Sequence, residues 1–249
     1  MKTAGRTLLP VLTSLFLTSP LCLAEATSKK PQPEPSEFSA SYSAKIGGMP
    51  FGGKGSRTFK KDGDEWVLEF GADATFFGMN ETSRFKLKDG LVIPADYTYA
   101  RSGIGSKAPK NARFNWKKME ALWQQDDEKS KVAIKPGTQD ALSYQLQLRL
   151  DLASGKKAFS YPVADDDETY QRRLIVEGDE VLETRAGKLN TTRVKVVRDD
   201  DDRQTWIWFA KDWDYVMVKL YQKEKDSDYT IEFREGSVAG KDISGLKDK

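Results

Sequence analysis

The sequence contains no histidine and a single cysteine, Cys22, in 249 residues. Without histidine, the Ser-His-Asp and Cys-His arrangements of nucleophilic catalysis are excluded. Zinc sites built on histidine or cysteine are excluded for the same reason. A lone thiol forms no internal disulfide, so the hydrophobic core must hold the fold by itself. We therefore expect a protein without metal or other cofactor.

Long apolar runs are also scarce, and the clearest one lies at the N-terminus. Lys2 and Arg6 precede an apolar stretch at residues 8–24, which ends in Cys22-Leu23-Ala24. A basic start, a short apolar run and a small-x-small end are typical of a secretory signal peptide. We predict a signal peptide over residues 1–24, with cleavage after Ala26 as the alternative. A lipoprotein signal is disfavoured because a leucine, rather than a small residue, precedes the cysteine.

Removal of residues 1–24 would change the charge and the expected partners. Lys2 and Arg6 would be lost, which leaves 38 basic against 38 acidic residues. A neutral chain has no net positive field that would favour nucleic acid or an anionic membrane. The rest of the sequence has no apolar run long enough to span a bilayer. We expect an exported protein without a transmembrane segment, in a Gram-negative periplasm or, alternatively, secreted.

The mature sequence divides into a leader, a body and a tail. Residues 25–36, "EATSKKPQPEPS", are polar and proline-rich, which predicts a disordered or polyproline-like leader. Residues 37–235 carry the apolar patterning of one β-rich domain. Residues 236–249 are predicted to be a polar, solvated tail.

Alternation of apolar and polar residues with a period of two dominates the body. From residue 65 to 76, every even-numbered residue is aromatic or aliphatic and these share one face, and Glu65, Glu69 and Asp73 share the other. Such alternation is typical of antiparallel strands with one wet face, and short turns between strands favour hairpins in sequence order. We predict a mainly β fold, either a strongly curved antiparallel meander sheet or an open barrel. Turn sequences separate the runs at 61–64, 88–90, 177–179, 186–188 and 199–202.

One segment, "GTQDALSYQLQLRLDLASG" at 137–155, departs from this rhythm. It follows Pro136, and its Leu, Gln, Arg and Ala content favours a helix. Thr138 is positioned to cap such a helix and Gly155 to end it. The strict alternation from Tyr144 to Leu152 is equally compatible with a strand. We predict a helix over residues 138–154, packed on the concave face of the sheet.

Five segments carry a family resemblance, namely "FSASYSAKIGG" from 38, "SRFKLKDGLVIPADYTYARSG" from 83, "GTQDALSYQLQLRL" from 137, "VEGDEVLETRAGKLNTTRVKVVR" from 176 and "TWIWFAKDWDYVMVKL" from 205. They resemble the bacterial exported-protein family known as domain of unknown function 3108 (DUF3108). The resemblance covers about residues 37–235 and implies an exported β-rich domain with no established activity. That family commonly has a proline where this chain has Met217. The layout also resembles the periplasmic lipoprotein carriers, whose curved antiparallel sheet wraps helices around an apolar cavity.

Carboxylates are the catalytic or metal-binding groups that remain. The acidic runs at 165–168 and 199–202 lack the internal glycine that calcium loops usually need, so we interpret them as solvated turns. Paired carboxylates can also hydrolyse glycosides, but no pair stands out among the 38 acids. Asp140 falls at the start of the predicted helix, where a carboxylate is stabilised by the helix N-terminus.

The segment "TWIWFAKDWDYV" at 205–216 concentrates five aromatic residues. Trp206 and Trp208 share one face of a strand and Ile207 and Phe209 the other, so both faces are apolar. Such a strand lies between two layers of a filled core, or it borders an apolar pocket that accepts a ligand. The candidate ligand-binding residues under the second interpretation are Trp206, Trp208, Phe76, Phe77, Trp116 and Tyr144.

These observations favour a non-catalytic protein of the cell envelope. We expect it to bind a hydrophobic small molecule, such as a lipid or a lipoprotein acyl chain, or an envelope protein. The alternatives from other classes are a carboxylate-dependent glycan hydrolase or lyase and a protein-docking scaffold of the envelope.

Overall fold

The structure, a computed structural model, describes residues 34–47, 52–200 and 202–246. The predicted signal peptide at 1–24 and most of the predicted leader at 25–36 lie outside these residues. The glycine-rich stretch at 47–55 is described only in part.

The described chain forms strands, one α-helix and one short 3₁₀ helix, as the alternating pattern predicts. The helix α1 spans Ser143–Ala153, and the 3₁₀ helix spans Lys211–Trp213. The first eight strands are β1 (Phe38–Ile46), β2 (Gly53–Asp62), β3 (Glu65–Ala74), β4 (Phe77–Lys88), β5 (Leu91–Gly103), β6 (Lys110–Asn115), β7 (Glu120–Gln125) and β8 (Glu128–Ala133). The remaining strands are β9 (Ala158–Asp165), β10 (Glu168–Thr184), β11 (Gly187–Val197), β12 (Arg203–Ala210), β13 (Val216–Glu224), β14 (Asp228–Val238) and β15 (Lys241–Asp242).

Two antiparallel meanders combine into one barrel-like sheet. Strands β1 to β8 pair in sequence order, and so do β9 to β14. Pairing of β1 with β14 joins the two meanders, so that β8 and β9 become the ends of a path of strands. These two end strands are consecutive in sequence, and α1 lies in the connection between them.

The connection to α1 helps to close the gap between β8 and β9. The Gln139 backbone amide donates to the Pro162 carbonyl over 2.8 Å, and the Ala164 amide donates to the Gln139 carbonyl over 2.9 Å. On the other side of the gap, Ser130 of β8 donates a hydrogen bond to Asp166 over 2.6 Å. The β9 edge is therefore paired at Gln139, a side-chain contact links β8 to Asp166, and the barrel is nearly closed.

Irregularities in strand pairing supply curvature. The register shifts between Ser41 and Tyr42, between Arg84 and Phe85, and between Trp208 and Phe209. An extra residue on one strand bends that strand and increases its twist, which allows a long sheet to curl toward closure.

The helix α1 is shorter than predicted and begins at Ser143 rather than 138. The five preceding residues are not helical, because Gln139 pairs with β9 and Thr138 accepts a hydrogen bond from the Lys135 amide over 3.1 Å. Asp140 takes the capping role instead. One carboxylate oxygen of Asp140 accepts from the Ser143 amide over 2.6 Å, and the Ser143 hydroxyl oxygen accepts from the Asp140 amide over 2.9 Å. This reciprocal pair is a capping box.

The helix lies inside the barrel rather than on an outer face. Leu146, Leu148, Leu150 and Leu152 are all buried, as are the polar residues between them. Leucines at every second position fall on opposite sides of a helix, because successive residues are 100° apart. The alternation that suggested a strand is therefore explained by a helix that is buried on nearly all sides.

The ordered sheet extends beyond the expected domain end at residue 235. Strand β14 continues to Val238, and β15 pairs with it at Ser237 and Val238. The Ile243 side chain is buried in the core, and Gly245 donates to the Ala186 carbonyl. The described part of the predicted tail therefore packs against the barrel.

At Gly236 of β14, the backbones of β14 and β1 approach each other closely in the seam that joins the two meanders. An added Cβ would overlap the Ser39 carbonyl oxygen and lie 2.9 Å from the Ala40 Cα. We predict that Gly236→Ala lowers the free energy of unfolding by about 1–3 kcal/mol because the seam must shift. Urea unfolding followed by fluorescence measures the change.

Gly178→Ala is the matched control, because a Cβ on Gly178 meets no atom within 4 Å. We expect this control to be neutral. Equal losses in both variants would contradict the steric explanation.

Candidate functional site

The apolar part of the interior is filled around α1. Phe38, Leu68, Phe209 and Leu146 meet there, and the cavity between them has a volume of about 10 Å³. Such a volume holds about one water molecule. The binding of a lipid-sized molecule at this position would require displacement of the helix.

Two buried arginines border this small cavity. The Arg149 side chain on α1 donates from Nε to the Asp214 carbonyl over 2.9 Å and from Nη2 to the Asp214 carboxylate over 3.0 Å. Arg57 on β2 has a weaker partner, the Met217 sulfur at 3.8 Å from Nη1. Burial lowers the pKa of Arg149 to about 10, while the Asp214 carboxylate opposes this shift. Arg149 therefore remains positively charged at neutral pH.

One end of the barrel carries the β3–β4, β5–β6 and β13–β14 connections, and we call it the Phe76 end. The interior becomes polar toward this end. Arg172 of β10 stacks between two tyrosines, with its guanidinium carbon 5.6 Å from the Tyr144 ring centre and 5.0 Å from the Tyr170 ring centre. Its Nη2 also donates to the Tyr170 hydroxyl over 2.9 Å. These three side chains are half-buried. The lining here suits a polar or anionic group better than a hydrocarbon chain.

Glu81 of β4 is the most unusual acid of this polar region. Burial raises the pKa of its carboxyl group, and the hydrogen bond that the Tyr97 hydroxyl donates over 3.2 Å opposes the shift. Two other acids influence Glu81 and are already engaged. The Asp140 carboxylate caps α1 and accepts from the Ser83 hydroxyl over 2.6 Å, and the Asp165 carboxylate pairs with Lys110 at 3.4 Å.

Trp206 and Trp208 lie on the outer face of β12. Phe209 lines the interior cavity, and alternate residues of a strand point to opposite faces, so the two tryptophans point outward. Trp206 stacks on Tyr221 with ring centres 5.8 Å apart, and Lys219 lies 5.0 Å from the Trp208 ring centre. On this outer face Trp208 is buried and Trp206 is half-buried, and α1 lies on the Phe209 side alone, so β12 is not enclosed evenly between two layers.

Trp116 and Tyr144 are far from these tryptophans in the fold. Trp116 follows β6 at the end opposite Phe76, where its indole donates to the Pro94 carbonyl over 2.6 Å. Tyr144 lies on α1 inside the barrel, with its ring centre 6.5 Å from that of Tyr161. The six candidate residues therefore occupy several separate places rather than one pocket.

Phe76 and Phe77 are the two candidates that the fold brings together with a hollow. This hollow, which we call the rim hollow, has a volume of about 520 Å³ and lies open to solvent between the β3–β4 turn and the end of β5. Phe76 is 64% exposed, and Ile104, also part of the lining, is 75% exposed. Arg101 stacks on the Phe77 ring at 5.0 Å. The rim hollow thus combines exposed apolar surface with an adjacent cation.

The acidic runs are solvated turns in the described residues, as expected from the sequence. Asp166 and Asp165 pair with Lys110, at 3.0 and 3.4 Å, and Asp199 pairs with Arg173. Across residues 34–47, 52–200 and 202–246, no group of three or more acids gathers in a way that could hold a metal ion. In the same residues, no helix is long and apolar enough to cross a membrane.

The sequence of residues 38–234 matches the family described as a protein of unknown function, DUF3108. This chain belongs to the DUF3108 family. A search of curated proteins gives no match. The resemblance seen in the sequence segments is therefore confirmed at the level of the family.

A solved structure shares the fold of this DUF3108 chain. It is the crystal structure of a beta-barrel-like protein of domain of unknown function DUF1849 from Brucella abortus. The TM-score is 0.57 at 9% sequence identity, and the match covers 82% of this chain and 98% of that chain. At this identity the likeness shows the fold alone.

Sequence reasoning missed the inward-facing arginines of this DUF3108 protein and the role of Ile104. Arg57, Arg149 and Arg172 occur in alternating or helical segments that look solvent-exposed by charge alone. Ile104 is an isolated apolar residue beside glycines. The two adjacent aromatic residues Phe76 and Phe77 were the sequence signal that coincides with the rim hollow.

The raised pKa of Glu81 gives a pH-dependent prediction. A carboxyl group whose pKa is higher in the folded protein binds its proton more tightly there, so stability is favoured below the unfolded value of 4.5 and is lost as pH rises through the folded value. We predict that Glu81→Gln is more stable than the wild type at pH 7, by about 1 kcal/mol at most because the side chain is partly solvated. Unfolding free energies measured from pH 4 to 8 give the difference.

The gain should shrink as the pH falls toward 4, because the wild-type carboxyl group then becomes neutral. A gain that is equal at every pH would contradict the assignment. Asp96→Asn is a matched control on the exposed side of β5, where its partner is Arg113 at 3.0 Å. This control should show no such gain at neutral pH.

Proposed function

We propose that this DUF3108 protein is a non-catalytic protein of the bacterial envelope that binds the apolar part of a lipid or of a lipoprotein acyl chain at the rim hollow. The observation that carries this proposal is the joint exposure of Phe76 and Ile104 beside a hollow of about 520 Å³. Large apolar side chains that are clustered and exposed commonly mark a binding surface.

The filled interior favours the rim over a central cavity. The cavity beside α1 measures about 10 Å³, whereas one acyl chain needs several hundred. The chain would thus differ from the lipoprotein carriers, whose layout it resembles, in the place where the ligand binds.

The lining of the rim hollow suits an amphiphile. Phe76, Phe77 and Ile104 offer apolar contact, and Asp73 and Ser102 offer polar contact at the edge. Arg101 on the Phe77 ring supplies a cation beside the hollow for an acidic head group. Burial of a phenylalanine or isoleucine side chain contributes about 1.5–3 kcal/mol, so two such residues support measurable affinity.

The other two functions find less support in the described residues. A glycan hydrolase needs two free carboxyl groups at a suitable separation, and the acids that influence Glu81 are already engaged by α1 and Lys110. A scaffold that docks partners by strand addition needs a free edge, whereas the β9 edge is paired at Gln139 and Ser130 of β8 contacts Asp166.

We predict that Phe76→Ser combined with Ile104→Ser weakens binding of lysophosphatidylglycerol or of a synthetic palmitoylated lipopeptide by at least about tenfold. The reason is the loss of two apolar side chains that a bound chain would cover. Isothermal titration calorimetry below the critical micelle concentration of each probe measures the change.

Leu91→Ser is the matched control, because Leu91 is 52% exposed and lies at the opposite end of the barrel. It should bind both probes as the wild type does. Equal weakening by the control would indicate unspecific surface adsorption, and an absence of binding by the wild type would overturn the lipid proposal.

Export is a separate part of the proposal and has its own test. We predict that the full-length chain, produced in a Gram-negative bacterium, is recovered in the periplasmic fraction with Glu25 as its first residue, because the N-terminal segment has the layout of a signal peptide. Intact-mass spectrometry of the fractionated protein identifies the cleavage site. Recovery of an uncleaved chain in the cytoplasm would contradict export.

A further inference from the structure

The cavity beside α1 is unusual because both of its cations are deeply buried and incompletely partnered. Arg57 is 7% exposed and Arg149 is 5% exposed. Arg57 Nε and Arg149 Nη1 have no hydrogen-bond partner in the described residues. Both side chains belong to the lining of the cavity. Buried donors in native proteins are nearly always satisfied, so these two atoms call for a further acceptor.

The charges around the cavity do not balance. Arg149 has an ion-pair partner in Asp214, whereas Arg57 makes no ion pair within the described residues. The other contacts of Arg57 are the neutral sulfur of Met217 and the Phe70 ring, whose centre is 6.0 Å away. A buried charge without a counter-charge is strongly unfavourable.

The remaining titratable neighbours do not supply the missing charge. Burial raises the pKa of Tyr42 to about 12, against the opposing effect of both arginines, so its hydroxyl stays neutral and donates to the Met217 carbonyl over 2.9 Å. Glu81 forms no ion pair with Arg57 in the described residues, and burial raises the pKa of the Glu81 carboxyl group while Arg57 opposes this shift. The site therefore retains an excess of about one positive charge.

We propose that the cavity between Arg57 and Arg149 is a binding site for one small monovalent inorganic anion of the size of chloride. Its volume of about 10 Å³ matches a single water-sized particle and leaves no space for a sulfate, a phosphate or a carboxylate-bearing ligand. An anion there would accept from the two free guanidinium N–H groups and would offset the unpaired charge. A neutral water molecule of similar size would satisfy the donors but not the charge.

This site would act on the stability of the barrel. Arg57 belongs to β2 and Arg149 to α1, so an anion that contacts both connects the wall to the enclosed helix. The same arginine also contacts β1, since Arg149 stacks on Phe38 with 4.6 Å between the guanidinium carbon and the ring centre. An anion that binds the folded chain alone raises the apparent stability as its concentration increases.

The test measures thermal unfolding of the chain from Glu25 to Lys249, at constant ionic strength, while sodium gluconate is replaced by sodium chloride. We expect the midpoint temperature to rise by several degrees, about 3–8 °C, between 1 and 300 mM chloride, and to approach a plateau. Gluconate is too large for the cavity. In the Arg57→Met variant the dependence on chloride should disappear, and Arg57→Lys should retain part of it.

Arg113→Met is the matched control, because Arg113 also lies on a strand but has an exposed partner, Asp96, at 3.0 Å. It should keep the full dependence on chloride. Crystals soaked in bromide should show an anomalous peak between Arg57 and Arg149, which tests the site even if the Arg57 variants fail to fold. The proposal would be overturned, and water indicated in the cavity, if the wild-type midpoint temperature does not change with chloride or if the bromide-soaked crystal shows no peak there.

Discussion

The enclosure of α1 is the constraint on which the rest of the structure depends. A helix that is buried on every side must find partners inside the barrel for each polar side chain that it carries. Gln147 accepts from the Val92 amide over 2.8 Å and donates to the Gly90 carbonyl over 3.1 Å, and Asp151 accepts from the Tyr161 hydroxyl over 2.8 Å. Arg149 reaches the Asp214 carboxylate in the connection between β12 and β13. The strands are thus held at set positions around the helix by these bonds.

This enclosure also determines where a ligand can bind. The helix and the aromatic residues around it occupy the space that an apolar ligand would use in an open barrel. The cavity beside the two arginines measures only about 10 Å³, whereas larger hollows, among them the rim hollow of about 520 Å³, lie open on the outside of the described barrel. The filled interior thus contributes to stability, and the proposed ligand site lies at the rim.

Much of the fold could be predicted from local pattern, whereas the site could be predicted only in part. Strands such as β3 and β14 follow the alternation of their residues, and the Asp140 carboxylate lies at the helix start as expected from its charge. The pairing of β1 with β14 and the burial of Arg57 depend on residues that are distant in sequence. The start of α1 at Ser143 was also not predictable, because the strand-like bridge at Gln139 competes with helix propensity there.

The sequence by itself determined that most of this chain alternates in strands, that one leucine-rich segment interrupts them, and that histidine and thiol chemistry are excluded. Only the tertiary structure decided which face of each strand points inward. The physical reason is that a period of two separates the faces of β12 but carries no information about which face meets α1. The curvature of the sheet and the position of the helix make that choice, and they place Phe209 inside while Trp206 and Trp208 lie on the outer face.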